Sequence, residues 1–132
     1  MRKQHPVKKQ RDALILDMYY DHLAVNGWTS PRSFANLLEQ KPAPRFFVEF
    51  EQARRFVSKI IRGYKPEIKK NKVYYDLAEL LVKHQKYQDD ARYKYLLLEE
   101  IIEQPAPSFY MGAERIKTAI YEEMRRNLRV KK

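Results

Sequence analysis

The chain has 132 residues, three glycines, no cysteine and a formal net charge of +10 at pH 7. This length fits one domain with a hydrophobic core, and the lack of cysteine excludes a disulfide framework, a thiolate zinc site and a cysteine nucleophile. The apolar run after the basic N-terminus is interrupted by Asp17 and Asp21, which is unlike a signal peptide, and no apolar stretch approaches the ~20 residues of a membrane span. We therefore expect a cytoplasmic protein that does not contact a membrane.

Fifteen of the 27 basic residues lie in three short segments. The N-terminal arm (residues 1–11), the central basic segment (residues 62–72) and the C-terminal tail (residues 125–132) carry a net charge of +14, whereas the rest of the chain carries −4. If the three segments converge in the folded protein, they form an anion-binding surface whose attraction to phosphates falls steeply with salt. If they do not converge, two are exposed termini and the third is a solvated loop.

Six helices are predicted from the spacing of apolar residues. The first runs from Lys9 to Gly27, and Ser30 as N-cap with Pro31 in the first helical position begins the second. The third ends at Gly63, the fourth covers residues 71–87, the fifth covers residues 89–104, and the sixth follows Gly112. The buried faces of the second and fourth helices are predicted to include Phe34, Leu37, Leu38, Val73, Leu77, Leu80, Leu81 and His84.

One sequence motif occurs twice, as "PAPRFFVEF" from Pro42 and in the similar form "PAPSFYMGA" from Pro105. Each half of the chain reads as two helices, a Pro-Ala-Pro-x-Phe-aromatic connector and a third helix, and the two halves match at offsets of 63 and 64 residues. This pattern predicts an all-α fold of about six helices, built as two tandem repeats at approximately residues 9–63 and 72–127. We expect the repeats to share one core, with a solenoid-like stack as the alternative.

The two Pro-Ala-Pro connectors are predicted to be extended. Proline cannot continue a helix, and it biases the residue before it toward extended geometry. Side chains alternate in direction along an extended segment, so the first ring of each aromatic pair is expected to be buried and its neighbour to point sideways or outward. The predicted structural anchors are Pro42, Pro44, Phe46, Phe47, Pro105, Pro107, Phe109 and Tyr110.

The same residues carry a resemblance. "PAPRFFVEFEQARR" and "PAPSFYMGAERIK" resemble a Pro-Ala-Pro-x-Phe-Tyr signature of small, uncharacterised proteins from phages and mobile elements of gut bacteria. The likeness covers about a third of the chain. It implies that the protein is an accessory protein of a mobile genome, and it implies no activity and no catalytic residues.

No catalytic motif stands out in the sequence. The histidines are His5, His22 and His84, and they form no His-Glu-x-x-His motif. Asp17, Asp21 and His22 lie near one another on the first helix, but such a group is more often a solvated helix face than a metal site. The glycines are isolated at helix boundaries, so no phosphate loop is predicted. We predict no enzyme activity, metal or cofactor.

The basic segments favour nucleic acid as the partner, through backbone phosphates and without strong sequence readout. Tyr64 is expected to be exposed, and Arg54 and Arg55 to flank a groove on the third helix. The alternative is a protein-interaction module or inhibitor that binds through the apolar and acidic stretch from Tyr93 to Glu103. The predicted nucleic-acid contacts are Arg62, Tyr64, Lys65, Lys69, Lys70, Lys72, Arg125, Arg126, Arg129 and the N-terminal arm.

Overall fold

The computed structural model describes the backbone of residues 6–130 and the side chains of residues 6–128. This part of the chain contains seven α-helices, one short 3₁₀-helix and no β-strand, which confirms the predicted all-α fold. The helices are α1 (Pro6–Asn26), α2 (Pro31–Leu38), α3 (Phe50–Ile61), α4 (Ile68–Lys83), α5 (Gln85–Asp89), the 3₁₀-helix (Ala91–Tyr93), α6 (Lys94–Ile102) and α7 (Ala113–Val130).

The helix boundaries agree with the sequence at α2 and differ from it between α4 and α6. Ser30 caps α2 by accepting the Ser33 N–H at 3.1 Å, and Pro31 takes the first helical position. The predicted fourth helix ends early because His84 is extended, and its Nδ1 accepts the N–H of Lys86. Asp90 likewise accepts the N–H of Arg92. Such local side-chain hydrogen bonds compete with helix continuation and divide the two predicted helices into shorter pieces.

The second part of the central basic segment is helical and is not a loop. Helix α4 begins at Ile68, and Asn71, with φ −116° and ψ 19°, kinks its first turns. The Asn71 side chain donates to the carbonyl of Glu67 at 2.8 Å, and the Tyr75 hydroxyl donates to the carbonyl of Pro66 at 2.6 Å. These two hydrogen bonds fix the entry into α4, so the lysines of residues 69–72 lie on a helix.

Two leucines predicted to be buried are exposed. The exposed fraction is 50% for Leu37 and 45% for Leu80. On α2 the buried stripe runs through Phe34, Ala35 and Leu38, so a small alanine occupies the core position that the sequence pattern assigns to Leu37. Ala78 likewise lies in the buried stripe of α4, and Leu80 faces solvent. His84 caps α5 and does not continue the buried face of α4.

The chain divides into two compact units, which we call unit 1 (Met1–Pro42 and Pro107–Lys132) and unit 2 (Ala43–Ala106). In unit 1, α7 packs against α1 and α2. In unit 2, α3 packs against α4 and α6, and α4 packs against α6. Each unit therefore combines the first two helices of one predicted repeat with the third helix of the other. The duplication itself stays a prediction.

Unit 1 is held by an apolar core and by polar contacts at its edges. The core includes Ile15, Leu16, Phe34, Leu38, Ile116 and Ile120. The Tyr19 hydroxyl donates to the carbonyl of Thr29 at 2.6 Å, which ties α1 to the turn that follows it. The buried carboxylate of Asp12 pairs with Arg11 at 3.0 Å, so the charge of Asp12 is compensated inside the unit.

The two Pro-Ala-Pro connectors meet in unit 2. Ala43 and Ala106 form an antiparallel bridge in which each N–H donates to the carbonyl of the other, at 3.0 and 2.9 Å. Because proline has no N–H, alanine supplies the only backbone donor of each Pro-Ala-Pro triplet. Both alanines are buried, which explains the small residue between the prolines.

The aromatic pairs after the prolines divide into a buried and a half-exposed ring. Phe46 in unit 2 is fully buried, and its N–H donates to the carbonyl of Ile102 at 2.9 Å. Phe109 in unit 1 is also buried, whereas Phe47 and Tyr110 are half-exposed. The alternation agrees with the prediction in both connectors, but the extended geometry does not hold throughout the second one, because Tyr110 has a φ of 56°, in the left-handed region. The four proline rings are exposed and act through the backbone: Pro42, Pro44, Pro105 and Pro107.

Candidate nucleic-acid interface

A cleft of about 280 Å³ lies in unit 2, along α3 and beside the first turn of α6. We call it the basic cleft, because five of its eight lining residues are cationic and none is acidic. The partial positive charge at the N-terminus of α6 adds to the charge of these side chains. The lining residues are Arg54, Arg55, Ser58, Lys59, Ile61, Arg62, Lys94 and Tyr95.

The helical repeat of α3 aligns most of these residues. Positions 54 and 55, 58 and 59, and 61 and 62 recur at about one helical turn, beside the buried Ala53 and Val57 that hold α3 in unit 2. At ~1.5 Å per residue, the row from Arg54 to Arg62 is about 12 Å long. One face of α3 is therefore in the core while the neighbouring face presents a line of cations.

Tyr95 lies within the group of cations. Its hydroxyl oxygen is 3.5 Å from the Ser58 hydroxyl, and Lys94 Nζ and the Arg54 guanidinium carbon lie over its ring at 5.0 and 5.5 Å from the ring centre. The hydrogen bond with Ser58 is the largest effect on the pKa of Tyr95 and, together with Lys94 and Arg54, it lowers that pKa below 10.0, while burial has a smaller opposite effect. The cleft thus places a phenol with enhanced acidity beside positive charge.

Most of the cations in the cleft are not neutralised by a neighbouring acid. Arg54 Nη2 contacts Glu51 Oε2 at 2.8 Å, and the Glu51 side chain is largely exposed. Within the part of the chain that has described side chains, the other four cations have no carboxylate within 4.0 Å. These four are Arg55, Lys59, Arg62 and Lys94. The cleft therefore keeps a net positive charge that an anion can satisfy.

The predicted contacts of the central basic segment lie in and after the cleft. Arg62 lines the cleft, and Tyr64, which is 58% exposed, follows it in the connector to α4. Lys65 and Lys69 are exposed as well. Two of the predicted lysines are engaged in ion pairs: Lys70 with Glu67 at 4.0 Å, and Lys72 with Asp76 at 2.6 Å.

The other two basic segments belong to unit 1. Lys8, Lys9 and Arg125 are exposed. Arg11 pairs with the buried Asp12, and Arg126 pairs with the buried Glu123, so both arginines compensate buried acids. Residues 1–5 of the arm, the side chain of Arg129 and residues 131–132 of the tail lie outside the described part of the protein.

Five lining residues of the cleft were not predicted as site residues: Ser58, Lys59, Ile61, Lys94 and Tyr95. Lys59 could have been found, because it follows Arg54 and Arg55 by about one helical turn and precedes Arg62 by another. Lys94 and Tyr95 are forty residues further along the chain and reach the cleft only because α6 packs on α3. No short motif signals that proximity.

The described residues offer neither a metal site nor a membrane span. Among residues 6–128, no group of three or more histidine, aspartate or glutamate side chains is placed to hold a metal ion. No helix in the described range is long and apolar enough to cross a bilayer. Comparison of the chain with protein families, with curated proteins and with solved structures gives no match.

Proposed function

We propose that this protein binds nucleic acid through the sugar-phosphate backbone, without strong sequence readout, and that the basic cleft is the contact surface. The observation that carries the proposal is the convergence of five cations and no acid on one cleft. Arginine and lysine form charge-assisted hydrogen bonds with phosphate oxygens, and the guanidinium group does so bidentately. Contacts of this kind position a strand but do not read its bases.

The connector after the cleft extends the proposed surface. Tyr64 is exposed directly after Arg62 and Gly63, and an exposed ring beside cations can stack on a base of any identity. Lys65 is exposed next to it. A strand held in the cleft by its phosphates would therefore reach an aromatic surface at the end of α3.

The resemblance described for the Pro-Ala-Pro segments supports a cellular setting for this activity. We propose a cytoplasmic accessory protein of a phage or mobile element that acts on DNA. The absence of sequence readout suits an accessory role, because such a protein can act on any strand it meets.

The test is fluorescence anisotropy with labelled single-stranded and duplex DNA at two salt concentrations. The Arg55→Gln/Arg62→Gln variant is expected to bind about tenfold more weakly and to show a shallower slope of log affinity against log salt, by about one for each phosphate that is no longer neutralised. The matched control is Lys83→Gln/Lys86→Gln, which removes the same charge from exposed positions outside the cleft. Equal losses of affinity in both variants, or binding that salt does not weaken, would contradict the proposal.

An exposed face of α6 favours a second candidate function. Leu96 on α6 is 62% exposed, Tyr93 directly before this helix is 54% exposed, and the acids Glu99 and Glu100 of α6 are exposed as well. An apolar surface rimmed by acids suits a protein partner with basic residues around an apolar patch. The protein would then be an interaction module or inhibitor. Leu96→Asp should abolish such binding and leave DNA affinity unchanged, whereas the cleft variant should do the reverse.

A further inference from the structure

The basic cleft carries more positive charge than is needed to bind one phosphodiester of a nucleic-acid backbone. Each phosphodiester of a strand carries one negative charge, whereas a phosphate monoester carries between about −1.5 and −2 at pH 7. Four cations without an acidic partner, together with Arg54, surround a single cleft. Because Coulombic attraction grows with the charge of the ligand, this arrangement favours the most highly charged phosphate available.

The size of the cleft favours a small ligand. Its volume is about 280 Å³, which is below the range of about 300 to 1,000 Å³ that is typical of pockets for drug-sized molecules. A phosphate group with part of its sugar is a small ligand by this measure. A complete nucleotide with its base would extend out of the cleft.

The chemical groups that line the cleft also favour a phosphate over a base. Two cations lie over the Tyr95 ring, and Ser58, Arg54 and Lys94 all interact with its hydroxyl. The Ser58 hydroxyl is 3.5 Å from it. Hydroxyl and cationic donors match phosphate oxygens, and the exposed ring of Tyr64 is not among the lining residues of the cleft. The cleft therefore offers donors for a phosphate and little surface for a base.

We propose that the basic cleft is an end-recognition site that binds the terminal phosphate monoester of a nucleic-acid strand. This inference rests on the proposed function and adds a ligand class to it. The terminal phosphate occupies the cleft between α3 and α6, where Arg55, Lys59 and Lys94 contact its oxygens. The remainder of the strand leaves the cleft past Arg62 toward Tyr64.

The experiment compares short single-stranded oligonucleotides of one sequence that differ only at their ends. One carries a 5′-phosphate, one carries a 3′-phosphate, and one has hydroxyl groups at both ends, each labelled at an internal position. At least one phosphorylated end is expected to bind about tenfold more tightly than the hydroxyl ends. The Arg55→Gln/Lys94→Gln variant should lose this preference, and Lys83→Gln/Lys86→Gln should keep it. Circular dichroism establishes that both variants fold.

Each outcome decides at least one of the two proposals. Equal, salt-dependent binding of all three oligonucleotides overturns the end-recognition site and leaves backbone binding intact. No binding of any oligonucleotide overturns both. A nucleoside monophosphate is expected to compete about 100-fold more weakly than the phosphorylated oligonucleotide, because it lacks the contacts of the following strand. If it competes equally well, the cleft binds a small phosphorylated molecule and the strand-end proposal is wrong.

Discussion

Tyr95 gives the basic cleft a group whose effect on an anion depends on its protonation. A neutral phenol donates a hydrogen bond to a phosphate oxygen, whereas a phenolate repels the phosphate. Ser58, Lys94 and Arg54 lower the pKa of Tyr95, so the phenolate forms at a lower pH than in an ordinary tyrosine. Tyr19 is the opposite case, because burial raises its pKa. The two tyrosines should therefore titrate on opposite sides of 10.0.

The first prediction concerns the pH dependence of binding. Because the pKa of Tyr95 is lowered, DNA affinity should fall as the pH rises toward a value below 10.0, as the phenolate replaces the phenol. Tyr95→Phe should remove this part of the pH dependence, and Ser58→Ala should move its midpoint upward. Absorbance titration of the wild type minus Tyr95→Phe isolates the phenol, with Tyr19→Phe as the control. A Tyr95 difference signal that titrates above the Tyr19 signal would show that the environment does not stabilise the phenolate.

The residues of the candidate site show which members of a binding site can be predicted from the sequence alone. Arg54, Arg55 and Arg62 were within reach because they lie close together in the chain and share one helix. Lys94 was not, because its nearness to them depends on the packing of α6 against α3. Similarly, the sequence pattern places Leu37 in the core, but packing uses the smaller Ala35 there. Local periodicity identifies a face of a helix, and packing decides which neighbour that face meets.

At the scale of elements, the two predicted copies differ in how their third helix is capped. The carboxylate of Glu49 caps α3 by accepting the N–H groups of Glu51 and Gln52 at 2.9 and 2.8 Å. The matching position before α7 is Gly112, which has no side chain to do this. Instead, Glu39, after the end of α2, accepts the N–H of Ala113 at 2.7 Å. A tertiary contact in unit 1 thus replaces a local cap.

The second prediction follows from this replacement. Glu39→Ala should lower the free energy of unfolding by about 1 kcal/mol, the usual cost of a lost N-cap. Adding Gly112→Asp to the Glu39→Ala variant should recover the lost stability, because aspartate supplies a local cap. There is room for it, since a Cβ at residue 112 meets no atom within 4 Å. Urea denaturation measures both effects.

The matched control is Glu103→Ala at the equivalent position of the other copy. Glu103 pairs with Arg45 at 3.3 Å and is largely exposed, so its loss should cost about 0.5 kcal/mol or less. If Glu103→Ala costs as much as Glu39→Ala, or if Gly112→Asp fails to rescue Glu39→Ala, the cap is not what Glu39 contributes.

The order of the helices was largely predictable from the sequence. Their boundaries were predictable only where the sequence contains recognisable capping residues or helix-ending prolines. Ser30 with Pro31 fixes the start of α2, and Pro105 follows soon after the end of α6. Between α4 and α6 the helical structure is interrupted at His84 and Asp90, whose side chains accept hydrogen bonds from backbone N–H groups. Both residue types also occur within helices, so the apolar spacing alone does not reveal these breaks.

At the scale of the whole chain, the sequence and the contacts divide the protein differently. The repeated motif predicts two halves that follow one another. The contacts instead make one continuous stretch, Ala43–Ala106, a unit of its own, and along the sequence this stretch separates the two parts of unit 1. The bridge between Ala43 and Ala106 joins the two ends of that stretch. The Pro-Ala-Pro connectors thus mark both the repeat and the points where the chain enters and leaves unit 2.

The third prediction is that residues 43–106 fold as an isolated fragment, whereas residues 1–63 do not. The first fragment contains α3, α4 and α6, which pack on one another, and its ends are held together by the alanine bridge. At about 60 residues it should be marginally stable, with a broad but cooperative loss of helical circular dichroism on heating. In the second fragment α3 lacks α4 and α6, and α1 and α2 lack α7, so the apolar faces of all three helices lose their partners. A cooperative melt of the monomeric 1–63 fragment would mean that α3 can replace α7 on α1 and α2, and that each predicted repeat is a folding unit by itself.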